Sequence, residues 1–511
     1  MEKNWKMLQT RKGKNFFLIV FLVFALGLIL GRFTILFSDS LPYVYRKDKT
    51  YKILKLIELI NRNYVDSVNI DSIVNIVLSD VLNELDPYSL YFTKEQYQSI
   101  NFQIKGHYKG IGISYDLNFS DTPVIVKVFS NSPAARNGII PGDMMLQVNG
   151  KNLKDLLEDE IVNIFASSQK INLLLLRQSI DSEFTVSLRK TEIYIPTVYT
   201  WLTSDSVCYI KIITFSDQTY KQFITAIEKC KKGNIKGIIL DLRDNQGGRI
   251  DISADILEEF FPSGHLLFYV KAKDKIKEKI FSKKQGSYVN IPLVILINTH
   301  TASASELIAG IVQDYDRGVI IGKRSFGKGM IQSVYHFSDG SVARITTYKY
   351  YIPSGRSIQR SYNNDMYFID FEDDSARIIQ DTTKVYFTKN GRKVLEGSGI
   401  VPDIKINDTL FINSMIGKMF SIKILARYGT QINKMQTIQE IENFVDTSFN
   451  KSYLHPHIFS IKYNLIESHF GQDSAYKYFN KFSPVYHKAL EVIFDRNKYN
   501  RILSNPIENE R

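Results

Sequence analysis

The residues with the clearest chemical potential are a serine at the start of a helical pattern and a lysine between two glycines. Ser303 follows the apolar run 291–297 and a turn of small and polar residues at 298–302. Apolar residues then recur from 304 to 312 with the spacing of one helical face. At a helix N-terminus, unpaired backbone N–H groups and the helix dipole stabilise developing negative charge. We therefore predict that Ser303 is a nucleophile.

Lys328 is the residue that we predict to act as the base for this serine. It lies in Gly327-Lys328-Gly329, after the short apolar run 318–322. A lysine of ordinary pKa, about 10.4, is protonated at neutral pH and cannot accept the serine proton. Burial of the ammonium lowers that pKa by several units and leaves a neutral amine, which can accept it. A Ser–Lys pair needs neither a histidine nor a metal, so we expect no metal site and no cofactor.

Other interpretations of the same residues stay open at this point. Ser303 and Glu306 also match a capping box, in which the serine only caps the helix. A Ser–His hydrolase is a second alternative, because His300 precedes Ser303 by three residues and His336 lies in a predicted hairpin. On a strand–turn–helix, however, we expect His300 to project away from the Ser303 hydroxyl.

The elements around these residues predict an α/β core. Strands and helices alternate from residue 191 onward. The predicted elements are strands at 207–213 and 235–242, a helix at 218–231 and a hairpin at 334–351. The second strand runs into Asp241-Leu242-Arg243-Asp244-Asn245-Gln246-Gly247-Gly248, and Asp339-Gly340 in the hairpin is typical of a type I′ turn.

Residues 106–189 form a separate pattern of short apolar runs broken by Gly, Asn and Asp, which predicts a small β-rich domain. Ser132-Pro133-Ala134-Ala135, Gly142-Asp143 and Val148-Asn149-Gly150 follow one another in an order that resembles a PDZ domain. PDZ domains bind a peptide C-terminus as an added strand and hold its carboxylate with backbone N–H groups of a glycine-containing loop. The resemblance implies that this loop consists of Gly110, Ile111, Gly112 and Ile113.

The N-terminal residues are typical of a membrane-targeting segment. Several lysines and an arginine precede an apolar stretch from Phe16 to Leu30, which a second short run extends to Phe37. A basic flank followed by an apolar core indicates either a secretory signal or an uncleaved anchor. We see no clear cleavage site and the stretch is just long enough to span a bilayer, so we predict an anchor. The positive-inside rule then puts everything after about residue 40 outside the cytoplasm.

Composition narrows the classes of function. The chain has 511 residues, enough for several domains, and its net charge of +12 comes from lysines spread along its whole length. No dense basic block with interleaved aromatics occurs, so we expect no nucleic-acid binding. Cys208 and Cys230 fit neither a zinc site nor a disulfide framework. We predict that Cys208 lies in the core and that the two cysteines are unpaired, although an oxidising compartment would allow one disulfide between them.

Taken together, these motifs resemble the carboxyl-terminal processing peptidases, also called tail-specific proteases. The resemblance runs from about residue 51 to residue 404. Its most specific stretches are Thr301-Ala302-Ser303-Ala304-Ser305-Glu306, Phe326-Gly327-Lys328-Gly329-x-x-Gln332, Asp241-Leu242-Arg243-x-Asn245-x-Gly247-Gly248 and Tyr350-Tyr351-x-Pro353-Ser354-Gly355-Arg356-x-Ile358-Gln359. Members of this family are serine endopeptidases with a PDZ domain inserted before a crotonase-like catalytic core.

The resemblance implies roles for individual residues. Ser303 falls at the nucleophile, Lys328 at the general base and Gln332 at a glutamine that orients the lysine. The backbone N–H of Ala304, with one from the Gly247-Gly248 turn, would form the oxyanion hole. Two departures are visible: Gln246 stands where the family usually has proline, and Thr301 where it usually has serine. Gln246 leaves open which of the two glycines donates.

The resemblance also implies a multidomain α/β fold, with a crotonase-like serine peptidase core, an inserted β-rich PDZ domain and helical N- and C-terminal parts. The expected regions are a cytoplasmic tail and anchor (1–40), an N-terminal helical region (41–104), the PDZ domain (105–190), the peptidase core (191–409) and a C-terminal helical accessory domain (410–511). The implied partners are protein substrates with apolar C-terminal tails, together with the inner membrane of the cell envelope, with the catalytic part periplasmic or otherwise extracytoplasmic.

Two further hypotheses complete the sequence-based interpretation. A non-catalytic envelope scaffold, in which the PDZ-like module binds protein tails and the core is inert, is the alternative outside the enzymes. For regulation, we expect a substrate tail to dock on the PDZ-like module and thereby open or align the catalytic cleft.

Overall fold

The computed structural model describes residues 50–504, apart from 118–121, 155, 232, 362–383, 398, 409–413 and 450–451. The chain divides into two compact units, Met1–Val81 and Leu82–Arg511. The predicted anchor lies outside the described residues. Among the residues that are described, no helix combines the length and the apolar character needed to cross a membrane. The first described helices are α1 (Thr50–Asn63) and α2 (Ile70–Asn83), and both lie in the region expected to be helical.

A short segment and a pair of strands lead into the β-rich module. Strand β1 (Leu90–Phe92) and helix α3 (Lys94–Lys105) follow α2, and strand β2 (His107–Gly110) pairs antiparallel with β9 (Thr191–Tyr194). Between them lies a six-stranded sheet of order β3-β4-β5-β7-β8, with β6 paired to β5. Its elements are β3 (Ile113–Asp116), β4 (Val124–Val128), α4 (Pro133–Arg136), β5 (Met144–Val148), β6 (Lys151–Asn152), α5 (Glu158–Ser167), β7 (Lys170–Arg177) and β8 (Ser182–Arg189).

The central sheet has six strands and carries the predicted strand–turn–helix. Its order is β10-β11-β12-β15-β16-β21, parallel from β11 to β21 and antiparallel between β10 and β11. These strands are β10 (Val198–Leu202), β11 (Val207–Ile212), β12 (Gly237–Asp241), β15 (Leu293–Ile297), β16 (Val319–Gly322) and β21 (Ile404–Lys405). Strands β11, β12, β15 and β16 are buried at every residue, which explains why their sequences are apolar apart from Lys211 and Asp241.

Helices cover both faces of this sheet. On one face, apolar residues of β11, β12 and β15 pack with α6 (Thr219–Lys231), α7 (Ile250–Glu258) and α8 (Ala304–Asp314). On the other face, alternate residues of the same strands pack with α13 (Pro484–Phe494) and α14 (Arg496–Ser504). The last two helices of the described residues therefore complete the second layer of the core.

A second sheet, antiparallel throughout, brings chain segments from either side of the β-rich module together. It contains β1 with β13 (Leu266–Ala272), β14 (Lys275–Phe281), β17 (Met330–His336) and β18 (Val342–Tyr351). The β17–β18 hairpin is where the sequence predicts it, but the expected type I′ turn is wrong. Gly340 has a φ of 90°, whereas Asp339 does not have positive φ, and the turn closes from the Gly340 N–H to the Phe337 carbonyl at 3.1 Å. A type I′ turn needs positive φ at both central residues.

The remaining C-terminal helices pack on one another in an apolar cluster, and some of them also contact the β-rich module. They are α9 (Met415–Ile432), α10 (Ile438–Phe449), α11 (Ile458–Phe470) and α12 (Gln472–Asn480); a small two-stranded sheet, β19 (Val385–Phe387) with β20 (Lys393–Leu395), precedes them. Lys127 of β4 pairs with Glu467 of α11 at 3.0 Å, and Lys418 of α9 pairs with Asp116 of β3 at 2.9 Å. Residues 410–504 thus include elements that contact both the core and the β-rich module.

The cysteines correct one prediction. Cys208 is fully buried, as expected, but it forms a disulfide with Cys230, so the prediction of unpaired cysteines is wrong. Strand β11 and helix α6 pack so that the two Cα atoms lie 5.7 Å apart, within the range that a disulfide spans. Cysteine number and spacing contain no information about that packing.

The predicted fold class is confirmed: the molecule is a multidomain α/β protein with a PDZ-like β-rich module and helical N- and C-terminal parts. The predicted domain boundaries remain predictions.

Candidate active site

Ser303 lies at the sharp turn between strand β15 and helix α8. Its backbone has φ 56° and ψ −117°, an uncommon conformation for a residue with a side chain. The preceding turn is fixed from both sides: the Thr301 hydroxyl donates to the Leu242 carbonyl at 2.9 Å, and the Asn298 N–H donates to that hydroxyl at 2.9 Å. The predicted capping box is present, with the Ser303 backbone N–H donating to the Glu306 carboxylate. A strained serine held in this way by its surroundings supports a functional role in addition to the capping one.

Glu306 connects the serine to the lysine loop. This carboxylate is fully buried, and its Oε2 accepts hydrogen bonds from the backbone N–H of Ser303 at 2.9 Å and of Lys328 at 2.8 Å. Its Oε1 accepts from the Gly327 N–H at 2.6 Å and from the Ser325 hydroxyl. Burial raises the pKa of Glu306, and these hydrogen bonds oppose the rise. The sequence suggested Glu306 only as part of a capping box; its role in joining the two loops was missed.

Lys328 is half-buried, and its amine faces aromatic and charged groups. The Nζ atom lies 4.6 Å from the centroid of the Tyr88 ring. Burial, with the nearby Arg344 guanidinium, lowers the pKa of Lys328 to about 8, against the opposing effect of Glu306 and Asp86. In the described part of the chain the side chains of Lys328 and Ser303 are not hydrogen-bonded to each other. Such contacts are often long before substrate binds.

Tyr350 provides a second link between the serine and the lysine. This fully buried tyrosine directs its hydroxyl to the backbone carbonyls of Ser303, at 3.1 Å, and of Lys328, at 2.8 Å. The backbones of the two predicted dyad residues are therefore joined by one acidic side chain and one phenol.

The predicted oxyanion turn lies directly against Ser303. A Cβ atom added to Gly247 would be 2.8 Å from the Ser303 Cβ and 3.0 Å from the Ala304 nitrogen. The Gly247 N–H donates to Asn245 Oδ1 at 2.8 Å. Within the described residues, the N–H groups of Ala304 and Gly248 have no hydrogen-bond acceptor. The Gly247 N–H is therefore already bonded within its own turn, and which of the two glycines donates to an oxyanion stays a prediction.

Gln332 lies on β17, the strand that follows Lys328 in the chain. Its amide donates to the Thr346 hydroxyl at 3.2 Å, and that hydroxyl donates to Asp86 Oδ1 at 3.1 Å. The predicted orientation of Lys328 by Gln332 stays a prediction. Asp86 and Tyr88 were missed as site residues, because neither belongs to a motif of the predicted core.

The two histidines of the alternative hydrolase lie at the surface. His300 is exposed, and its backbone N–H donates to Asn298 Oδ1 at 3.2 Å. His336 is exposed on β17, with its ring 5.5 Å from that of Tyr97. Among the described residues, no group of three or more His, Cys, Asp and Glu side chains is arranged to hold a metal ion.

The predicted peptide-binding residues surround the start of β3. Ile111 is buried and its carbonyl accepts from the Ala134 N–H at 3.0 Å, while Gly112 has φ 83° and its carbonyl accepts from the Phe129 N–H at 3.0 Å. Gly110 ends β2 and Ile113 begins β3, an edge strand of the described sheet. Peptide binding at this edge stays a prediction.

Comparison with known proteins gives two family matches. Residues 206–368 match peptidase family S41, and residues 91–176 match the PDZ domain. The carboxy-terminal processing protease CtpA of Bacillus subtilis (strain 168) is 31% identical over 312 residues, 60% of this chain and 66% of the relative. A probable CtpA-like serine protease of Staphylococcus aureus (strain MRSA252) is 31% identical over 309 residues, 60% of this chain and 62% of the relative.

Among solved structures, the photosystem II D1 C-terminal processing protease aligns with 73% of this chain and 97% of its own, at 21% identity and a TM-score of 0.38. The family matches and the named relatives confirm the predicted resemblance to carboxyl-terminal processing serine peptidases with a PDZ domain. The chain spans less than two thirds of the length of the Bacillus and Staphylococcus relatives.

Proposed function

We propose that this chain is a serine endopeptidase of the carboxyl-terminal processing type, with Ser303 as nucleophile and Lys328 as general base. One observation carries the proposal: a single buried carboxylate, Glu306, accepts hydrogen bonds from the backbone N–H groups of both residues. Capping of the helix requires only the hydrogen bond to Ser303. It does not require the hydrogen bonds that Glu306 also accepts from the Lys328 loop, more than twenty residues later in the chain.

The arrangement supports a two-step acyl transfer. The neutral amine of Lys328 removes the Ser303 hydroxyl proton while Oγ attacks the scissile carbonyl carbon. The N–H groups of Ala304 and Gly248 receive the negative charge on the carbonyl oxygen. The Lys328 ammonium then gives its proton to the departing amine as the scissile C–N bond breaks. In the second step the regenerated amine takes a proton from water, the resulting hydroxide adds to the acyl carbon, and the ammonium returns the proton to Ser303 Oγ as the acyl–oxygen bond breaks. Because the reactive form is neutral and the pKa is about 8, the rate rises with pH up to and beyond that value.

The substrates follow from the PDZ match and remain part of the proposal. A protein tail with an apolar C-terminus would bind along the free edge of β3, with its carboxylate at Gly110–Ile113. The N-terminal anchor predicted from the sequence would hold the enzyme at the inner membrane, with the catalytic part in the periplasm or another extracytoplasmic space.

The test is digestion of an unfolded protein with an apolar C-terminus by the purified extracytoplasmic part. We expect fragments from the wild type and none from Ser303→Ala or Lys328→Ala, with circular dichroism unchanged in both. Lys349→Ala, at an exposed lysine on the neighbouring strand β18, is the matched control and keeps full activity. Full activity in either dyad variant would refute the assignment.

The same assay separates the alternatives. A non-catalytic scaffold would give a stable complex with the unfolded protein and no fragments in any variant. A Ser–His hydrolase would keep activity in Lys328→Ala and lose it in His300→Ala or His336→Ala. The exposure of both histidines favours the lysine as base.

A further inference from the structure

A tyrosine from outside the peptidase core covers the amine of Lys328. Tyr88 belongs to the segment that precedes the PDZ-like module, and it is 8% exposed. Its ring centroid lies 4.6 Å from Lys328 Nζ. Neither the chemistry of the dyad nor the motifs of the core assign any role to this residue.

Asp86 fixes the position of Tyr88. One carboxylate oxygen of Asp86 accepts from the backbone N–H groups of Tyr88, at 2.8 Å, and Ser89, at 2.9 Å, and the other accepts from the Ser89 hydroxyl at 2.8 Å. The chain then continues into β1, whose Leu90 pairs with Arg344 of β18. The tyrosine is therefore held by a local turn that is itself fastened to the sheet next to the lysine.

The Asp86 carboxylate is also connected, through Thr346, to Gln332, the residue predicted to orient the lysine. The Thr346 hydroxyl donates to Asp86 Oδ1 at 3.1 Å and accepts from the Gln332 amide at 3.2 Å. In addition, the Thr346 N–H donates to the Ser89 hydroxyl at 3.1 Å. Segment 86–89 thus contacts both the amine of Lys328 and Thr346, the β18 residue that accepts a hydrogen bond from the Gln332 amide.

Covering the amine with an aromatic ring has two opposite electrostatic effects. The face of the ring attracts the ammonium, which raises its proton affinity about thirtyfold in a dry site. Exclusion of water disfavours the ammonium, and the pKa of Lys328 falls from 10.5 to about 8, a roughly three-hundredfold loss of proton affinity. The charged groups that face the amine are Arg344, which assists this fall, and Glu306 and Asp86, which oppose it. Burial of the amine is the largest cause of this fall, ahead of the three charged groups.

We propose that Tyr88 is a positioning residue for Lys328: its ring closes the amine off from water, and Asp86 holds the ring in place. The base of this enzyme is then completed by a segment that lies before the PDZ-like module in the chain. Undocking of that segment would leave the dyad residues in place but the amine hydrated and protonated. This inference rests on the proposed Ser–Lys mechanism.

The test is the pH dependence of kcat/KM for a tail-bearing peptide, measured from pH 6 to pH 10.5 in the full extracytoplasmic part. In Tyr88→Ala we expect the midpoint of the acid limb to rise by about one pH unit, with about tenfold less activity at pH 7 and recovery towards the wild type at high pH. Tyr88→Phe keeps the ring and retains the wild-type midpoint. Tyr91→Ala, which removes a β1 tyrosine packed on Phe337, also leaves the midpoint unchanged.

A midpoint in Tyr88→Ala that stays in place or falls would overturn the inference, as would an equal loss of activity at every pH. If Tyr88→Ala does not fold, Tyr88→Val removes the ring with a smaller cavity and is expected to move the midpoint in the same direction. The cleavage activity of Lys328→Ala is measured in the same assay. Retained cleavage there refutes the proposed function, whereas an inactive Lys328→Ala with an unshifted Tyr88→Ala refutes only the role of Tyr88.

Discussion

At the scale of single residues, Glu306 has the most demanding position in the site. Its two oxygens accept from four donors, three of them backbone N–H groups of residues at the two catalytic loops. Each buried hydrogen-bonding group that is left without its partner lowers the free energy of unfolding by about 1–3 kcal/mol. The geometry of the dyad therefore depends on a residue that takes no part in the proposed chemistry.

We expect Glu306→Gln to reduce kcat about tenfold to a hundredfold. The glutamine NH2 group would replace one carboxylate oxygen, and the backbone N–H groups of one loop would then face a donor instead of an acceptor. Steady-state kinetics and urea unfolding check this, with a loss of about 1–3 kcal/mol in the free energy of unfolding. Glu258→Gln is the matched control: this buried α7 carboxylate accepts from the Lys283 N–H at 3.1 Å. It should lose stability without a comparable loss of kcat, and equal kcat in the two variants would contradict the role of Glu306.

At the scale of elements, the site forms where the turn after β12 meets the N-terminus of α8. The Asn245 carbonyl accepts from the Ala302 N–H and from the Ser305 hydroxyl, both at 3.0 Å, so the two turns are joined through backbone and side chain. Gly247, with φ 101°, leaves the space that the Ser303 side chain occupies. The close approach of the two turns brings the predicted oxyanion donors to the serine.

Gly247→Ala should therefore lower kcat by about a hundredfold or more, since the added methyl would displace Ser303 or the oxyanion donors. Gly264→Ala is the control, because Gly264 also has positive φ, 82°, but an added Cβ meets nothing within 4 Å. Both variants carry the same kind of backbone strain, about 1–2 kcal/mol. Comparable turnover in the two variants, measured at saturating peptide, would show that the turn does not contact the catalytic serine.

The sequence predicted the elements that its local pattern determines. The strand–turn–helix around Ser303 and the parallel core strands were predictable. Apolar runs indicate strands buried on both faces, and apolar residues at helical spacing indicate a helix with one buried face. Tyr88 and Asp86 were not, because their roles arise from the pairing of β1 with β18, on opposite sides of the PDZ-like module in the chain. The Cys208–Cys230 disulfide was missed for the same reason: only the packing of α6 on β11 brings the cysteines together.

At the scale of the whole molecule, the C-terminal helices link the core to the PDZ-like module. Arg243, buried at the end of β12, bonds to Asp241 and donates to Asn480 Oδ1 at 3.1 Å and to the Ser483 hydroxyl at 2.9 Å, beside the C-terminal helices. On the other side, α9 packs against Gly142 so closely that an added Cβ would lie 2.1 Å from the Leu425 carbonyl oxygen. We therefore expect that the effect of a bound tail on the core is transmitted partly through these helices.

Gly142→Ala should loosen the module from α9. The added methyl cannot be accommodated between two backbones, so we expect faster hydrogen exchange around Leu425 and a change in the stimulation of cleavage by tail peptides. Gly138→Ala is the matched control, because Gly138 has φ 73° and an added Cβ would meet nothing within 4 Å. It carries similar strain but leaves the contact with α9 intact. If the two alanine variants showed the same exchange around Leu425 and the same peptide dependence, the helices would not couple the module to the core, and the signal from a bound tail would have to travel through the β2–β9 strands instead.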